Sequence, residues 1–427
     1  MIDTRLLLDD FDETARRLAR KGVDPAVVSQ SRQLAEARRV QVRVVDVARQ
    51  QMNSGAAQVG VLMREGRRDE AETLRGELSA HRANLEELER ALRQVEEELE
   101  DVLARLPNLP ADDVPDGRSE ADNVVKRTVG FDPADYAGRE WQPHWDIAER
   151  LGILDAERAA KLSGTMFALL KGDGARLLRG LTAFALDLHR DSYEEIIPPH
   201  VVRGDVIAKT GHLTKFDTQA YRLRDDDLWL LPTGEVALMG LHQGEILAEA
   251  DLPLHYMAYT TCWRREAGAA GKETRGMQRL HEFHKVELVK LCKPEDGETE
   301  FHKLVVDAAR PLEALGLPYR VVELCSGDLT FSASRVYDLE VYSPGVDRWL
   351  EVSSISLVTD FQSRRGQIRF RREGGGVEFV HALNGSGLAT PRVWAAIVEH
   401  GLTGDGTVVV PPALVPYVGV DTLRKRH

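Results

Sequence analysis

The sequence predicts an α+β protein: an antiparallel sheet flanked by helices, preceded by an arm of two long antiparallel helices. Three observations carry that prediction. Residues 74–102 place Leu74, Leu78, Leu85, Leu88, Leu92, Val95, Leu99 and Val102 at spacings that alternate four and three, with His81 in the one missing slot. Such spacing is the seam of a coiled coil. A stretch dense in Pro, Asp and Gly, from Leu106 to Asn123, then breaks the pattern. From about residue 140, short strand-like runs mix with helical stretches without a βαβ rhythm, which favours an antiparallel sheet.

Residues 27–65 are helix-like, rich in Ala, Val, Gln and Arg, with a less regular seam. The cluster Asn53-Ser54-Gly55, with Gly60, Gly66 and Gly76 nearby, suits a reversal, so residues 27–103 read as a helical hairpin. Its charge is divided. Residues 27–68 hold eight Arg against Glu36, Asp46 and Glu65, whereas residues 69–103 hold twelve acids against four Arg. Pairing between the helices over a solvated face is one reading. The other is that the first helix offers Arg32, Arg38, Arg39, Arg43 and Arg49 to a phosphate backbone. Leu106-Pro107-Asn108-Leu109-Pro110 and the following ADDVPDGRSEADN read as a linker, which gives domains of 1–108 and 109–427.

In the second domain, Leu177–Leu188 is an apolar helical run, and EEIIPPHVV, LWLLPT, LHYMAYTTCW, KVELVKL, YRVVEL and YDLEVY read as strands. The segment Cys262–Glu287 reads as strand, a loop over 267–278 carrying Lys272 and Arg275, and strand. A side-chain period of two puts Arg264 and Glu266 on one face of the first strand, and Arg279, His281, Phe283, Lys285 and Glu287 on one face of the second. So many charges on one face are costly to bury unless they meet each other or a ligand. Guanidinium forks suit a carboxylate and phosphates, and Phe283 offers a plane for a flat ring. In Asn384-Gly-Ser-Gly-Leu-Ala-Thr-Pro-Arg392, Gly385 and Gly387 permit tight turns and Pro391 suits a first helical turn. Arg392 then lies near a positive helix end, where it is unfavourable without an anion. His281 and His284 lack the spacing of a zinc protease, and a strand splits them onto opposite faces.

The 427 residues allow two or three domains; 43% are hydrophobic, 29% charged, and the net charge is −13. No run of about 18 apolar residues and no basic-then-apolar leader is present, so the chain reads as soluble, cytosolic and without a membrane partner. Cys262, Cys292 and Cys325 are too far apart for a CxxC site. The acidic balance alone argues against a nucleic-acid partner, an inference the charge division of the arm already qualifies.

With these motifs in order, the chain resembles a bacterial-type seryl-tRNA synthetase, a class II aminoacyl-tRNA synthetase, over nearly its whole length. EEIIPPHVV resembles motif 1 of the class, CWRREAGAAGKETRG with RLHEFHKVE motif 2, and GSGLATPR motif 3. LPTGEVAL and YDLEVYSPGVDRWLEVSSISLVTDFQSRR resemble the amino-acid and metal-binding segments. The resemblance implies a class II antiparallel sheet, a homodimer around motif 1, and activation of L-serine with ATP and Mg2+ before transfer to serine tRNA. It makes Arg264, Arg279 and Arg392 catalytic. Arg264 would bind the α-phosphate and the serine carboxylate, Glu266 the adenine amino group, and Phe283 and Arg392 the two faces of the ring. Thr233, Glu235, Glu287, Asn384 and Ser386 would bind serine, and Glu351 and Ser354 the metal. Ile355, Leu357, Leu350, Gly234, Glu282 and Trp263 depart from the usual pattern. Grouped at the substrate site, they leave open a divergent paralogue. A ligase acting on a carrier protein is a further alternative, and it would be expected to lack the arm.

Overall fold

A computed structural model describes residues 1–213, 217–267 and 274–425. Contacts divide the chain into compact units at Pro107 and Asn108. In the N-terminal unit, α1 (Thr4–Asp9) and α2 (Phe11–Arg20) precede α3 (Pro25–Arg64) and α4 (Arg68–Arg105). The Asp24 carboxylate accepts from the Ala26 N–H at 2.8 Å, and Pro25 occupies the first turn of α3, two features that start a helix well. The chain reverses at Glu65–Gly66–Arg67, where Gly66 has φ +80°. Of the cluster expected to suit the reversal, Gly66 makes it, whereas Asn53-Ser54-Gly55 and Gly60 lie inside α3 and Gly76 inside α4. Gly55 has a different reason: a Cβ there would come within 2.5 Å of Leu78 Cδ2, so the glycine marks a close approach of the two helices. The α4 leucine seam faces α3. Leu99 and Val102 are buried, and Leu74 and Leu78 pack on Val59, Leu62 and Ala71.

The larger unit is built on an eight-stranded sheet. Its strands are β1 (Val124–Val129), β2 (Glu194–Glu195), β3 (Leu254–Trp263), β4 (Glu282–Cys292), β5 (Tyr319–Glu323), β6 (Arg335–Ser343), β7 (Arg348–Thr359) and β8 (His381–Ala389). The spatial order is β1-β5-β6-β7-β8-β4-β3-β2, antiparallel throughout except for β2 beside β3. The EEIIPPHVV run is broken after Glu195 and resumes at Val201, since Pro198 and Pro199 have no N–H to donate to a ladder. One sheet face is apolar. Val286, Leu288, Ile355, Leu357 and Leu383 bury there against α6 (Asp173–His189), α8 (Gly297–Ala314) and α9 (Thr390–His400). Two shorter helices, α5 (His144–Leu151) and α7 (Gly234–Gly240), complete the surroundings of the site.

Two further expectations change. Gly385 and Gly387 do not make turns; they sit within β8, where a Cβ would lie 3.1 Å from Ile355 Cγ1 and 3.0 Å from Leu288 Cγ. The Pro- and Asp-rich segment ends the long α-helix as expected and holds only a 3-10 turn at Glu120–Asp122, yet it is docked on the sheet rather than loose. Asn108 Nδ2 donates to the Ser332 and Val358 carbonyls, and Val114 packs against Leu324 and Val336.

Candidate active site

The polar face of the central strands forms the floor of a cavity of about 570 Å³, within the usual range for small-ligand sites. The strand period does most of the sorting. On β4, Phe283, Lys285 and Glu287 face the cavity, while Val286 and Leu288 face the core. On β8, Asn384 and Ser386 line it, paired with Val289 and Glu287 of β4. On β7 a strict period of two would separate Glu351 from Ser354. A bulge at Val352, where the register slips between Glu351 and Ser353, brings both residues and Ser356 to the cavity.

One end of the cavity is a buried carboxylate cluster. Thr233 caps α7, accepts from Lys285 Nζ at 2.8 Å and donates to Glu287 Oε2 at 2.8 Å, while Lys285 also ion-pairs with Glu287. Burial pushes Glu287 up against the opposing pull of Lys285, and the nearby Glu235 carboxylate adds to the rise. Burial likewise raises Glu235, although Gln362 Nε2 donates to it at 2.5 Å. His212, 3.8 Å from Glu235, is pushed down to about 4 by burial and by Arg264 and Lys285, which leaves it neutral at pH 7. This end suits a small group that brings its own positive charge and hydroxyl.

The other end is cationic and carries a ring. Arg264 and Glu266 follow β3 rather than belonging to it, and Glu266 is held at φ +47°. The Arg264 guanidinium lies 5.2 Å from the Phe283 centroid and donates to the Pro232 carbonyl. Arg279 pairs with Glu266 at 3.0 Å. Arg392, in the first turn of α9, donates to the carbonyls of Gln278 and Glu351. All five of these side chains line the cavity. His281 does not: β4 begins only at Glu282, so the alternation ends there, and His281 Nδ1 instead meets the Arg264 carbonyl at 2.9 Å. Of the loop expected over 267–278, residues 268–273, with Lys272, lie outside the described residues. Arg275 lies over the Trp145 ring at 5.0 Å.

Between the two ends sit Glu351, half exposed, and Ser354, whose hydroxyl hydrogen-bonds to Asp338. Burial and the Glu351 carboxylate push Asp338 well above the carboxylate range, and its Oδ1 is buried with no hydrogen-bond partner among the described residues. Among the described residues no group of three or more His, Cys, Asp or Glu side chains is arranged to hold a metal. An oxygen pair with an orphaned acceptor behind it suits a hard cation that keeps waters and phosphate oxygens, as Mg2+ does. Sequence reasoning missed Asp338, Gln362, His212 and Gln278, each brought in by tertiary contacts. Ser356 was within reach, since the alternation beyond the bulge includes it.

The departures named above do not line the cavity. Ile355 and Leu357 are on the core side of β7, and a Cβ on Gly234 would come within 2.9 Å of Glu287 Cβ. Gly234 and Ile355 thus back the site from behind its lining side chains rather than forming them, and no observation favours a divergent paralogue. On the arm, Arg38 pairs with Glu96, Arg49 with Glu89, and Arg32 with Glu36. Arg39 and Arg43 are exposed and form no ion pair among the described residues. Among these residues no helix is long and apolar enough to cross a membrane.

Comparison with known proteins agrees with this layout. Residues 1–110 match the seryl-tRNA synthetase N-terminal domain, and residues 216–401 the tRNA synthetase class II core domain (G, H, P, S and T). The chain is 43% identical to a serine–tRNA ligase of Dehalococcoides mccartyi, over 99% of this chain and 100% of the relative. It is 46% identical to one of Geobacillus kaustophilus, over 98% and 99%. Among solved structures, seryl-tRNA synthetase from Pyrococcus horikoshii complexed with ATP superposes with a TM-score of 0.91 at 33% identity, covering 100% of both chains. The cytoplasmic serine–tRNA ligase of Naegleria fowleri in complex with AMP gives 0.87 at 27% identity, covering 100% and 99%. The chain belongs to the seryl-tRNA synthetase family of class II aminoacyl-tRNA synthetases, and it is a ligase.

Proposed function

We propose that the cavity joins L-serine to ATP and that the arm presents serine tRNA for the second step. The observation that carries this reading is the joining, in one cavity, of a buried acid-lined end to an end with three arginines and an aromatic plane. The serine ammonium and hydroxyl sit among Thr233, Glu235, Glu287, Asn384 and Ser386, and its carboxylate meets Arg264. Adenine lies between Phe283 and Arg392, with Glu266 at its amino group and Arg279 beside the triphosphate. Glu351 and Ser354 would hold Mg2+, which would supply neutralisation of the triphosphate charge.

The serine carboxylate is already a nucleophile, so no side chain needs activation. Its oxygen forms a bond to the α-phosphorus while the bond to the bridging β-phosphate oxygen breaks, releasing pyrophosphate. Arg264 and Arg392 fix the in-line geometry and neutralise developing charge. A terminal ribose hydroxyl of the tRNA then attacks the acyl carbon, loses its proton, and AMP departs. Alanine would leave the buried polar groups of the serine end unpaired, a strong form of rejection. Arg32, Arg38, Arg39, Arg43 and Arg49 contact the tRNA backbone, the chain pairs as a homodimer around residues 194–202, where Ile197 is 86% exposed, and the reaction is cytoplasmic. The test is serine-dependent pyrophosphate exchange followed by charging of purified tRNA. Exchange with no transfer to serine tRNA would redirect the reading to a carrier-protein ligase, which no observation favours.

A further inference from the structure

We infer that His144 and Glu399 form a positioning latch that holds the returning end of the motif 2 loop, and with it Gln278 and Arg279, against the cavity. Both side chains are fully buried. Glu399, in the last turn of α9, accepts from the His144 backbone N–H at 3.0 Å, from His144 Nδ1 at 2.8 Å, from the Ser343 hydroxyl at 2.5 Å and from the Gly345 N–H at 3.0 Å. The Met277 N–H donates to His144 Nε2 at 2.9 Å. A backbone N–H can only donate, so Nε2 is the acceptor and the ring proton sits on Nδ1, aimed at the carboxylate. Burial favours the neutral acid, yet the donors outweigh it and Glu399 stays below the usual carboxylate range.

The latch works from both ends of one helix. Arg392, at the start of α9, takes the carbonyl of Gln278; Glu399, at its end, reaches the N–H of Met277 through His144. Two consecutive loop residues are thus gripped by a single rigid element. The next residue toward the loop tip is built for it: Gly276 has φ +61°, and a Cβ there would lie 2.3 Å from His144 Nε2. Arg275 stacks on Trp145, the neighbour of His144 on α5. Arg279 and Phe283 follow directly in the chain, so the latch sets where they enter the cavity. His144 and Glu399 touch no substrate and act through that backbone. The kinetic consequence rests on the reading of those residues as the ATP end.

The experiment compares His144→Leu, His144→Gln and Gly276→Ala in the full-length protein. Steady-state KM for ATP and for serine are measured by pyrophosphate exchange, and amide hydrogen exchange at Met277 is followed without ligands. Loss of one buried hydrogen bond is expected to raise KM for ATP about tenfold in His144→Leu and Gly276→Ala, with KM for serine changed less than about twofold. Met277 exchange should quicken by a similar factor, and Gln, which keeps an acceptor, should recover part of both losses. A fall in melting temperature with unchanged KM for ATP and unchanged Met277 exchange would overturn the latch. Met277 exchange is read without ATP, so it decides on the latch even if the unaltered protein fails to exchange pyrophosphate; that failure would remove the ATP reading instead.

Discussion

The arm and the cavity both depend on ion pairs, and they use them in opposite ways. On the arm, Arg49 and Glu89 meet at 2.8 Å with side chains 54% and 28% exposed. In the cavity, Lys285 and Glu287 are 9% and 2% exposed and share Thr233. A surface pair contributes about 0–1 kcal/mol, and salt screens it. A buried pair is costly to break, roughly 3–5 kcal/mol, because the partner left behind is an uncompensated charge. The net charge of −13 therefore describes neither region. Exposed arm charges are available to a phosphate backbone at little cost to the fold, whereas the cavity charges hold each other until a ligand replaces one of the interactions.

That contrast can be broken in order of size. Arg264→Ala is expected to lower kcat/KM for serine-dependent pyrophosphate exchange by about a thousandfold or more, as removal of a transition-state donor does. A loss below about tenfold, read by the same assay, would remove Arg264 from the chemistry. Lys285→Met strands Glu287 and is expected to cost about 3–5 kcal/mol of stability by urea unfolding; a cost under about 1 kcal/mol would mean the pair is not the buried hub described. Reversing Arg39 and Arg43 to Glu is expected to raise KM for tRNA by roughly ten- to a hundredfold and to flatten its salt dependence. Exchange without tRNA should be unaltered, and a change there would tie the arm to activation.

Glu235→Gln probes the same cluster through pH. Burial raises the folded-state pKa of Glu235 above 4.5, so the unaltered protein loses stability as pH climbs through that raised value. The Gln variant lacks this loss. It is expected to melt at least as low as the unaltered protein near pH 4 and progressively higher than it toward pH 7, while serine KM worsens. A constant difference across pH would show that the carboxylate is not destabilised by burial. Smallest of all, Arg49→Ala is expected to cost less than about 1 kcal/mol, and a larger loss would place that pair with the buried ones.

Legibility followed the range of the interactions. The arm was readable because its Leu seam is local and periodic, from Leu74 to Val102. Which glycine of the cluster makes its reversal was not, since Gly55 answers to Leu78 on the other helix whereas Gly66 turns the chain. In the cavity, Phe283, Lys285 and Glu287 could be read from alternation alone. Glu351 and Ser354 could not: three residues apart on a strand, they share a face only through the bulge at Val352. The glycines of β8 looked like turn residues because sequence shows absence of a side chain, not the neighbour that requires it. Asp338, Gln362 and the His144–Glu399 pair carry no local signal, since each gains its role from contacts far along the chain.

The most direct measurement is pyrophosphate exchange run with each of the twenty amino acids in turn, with purified full-length protein, ATP and Mg2+. Exchange is expected with serine. With alanine it is expected to be lower by orders of magnitude, because alanine leaves the hydroxyl-seeking groups around Glu287 and Thr233 unpaired, and with threonine lower because its extra methyl must enter the buried serine end. Exchange that is absent with serine, or equal with alanine, would contradict this reading.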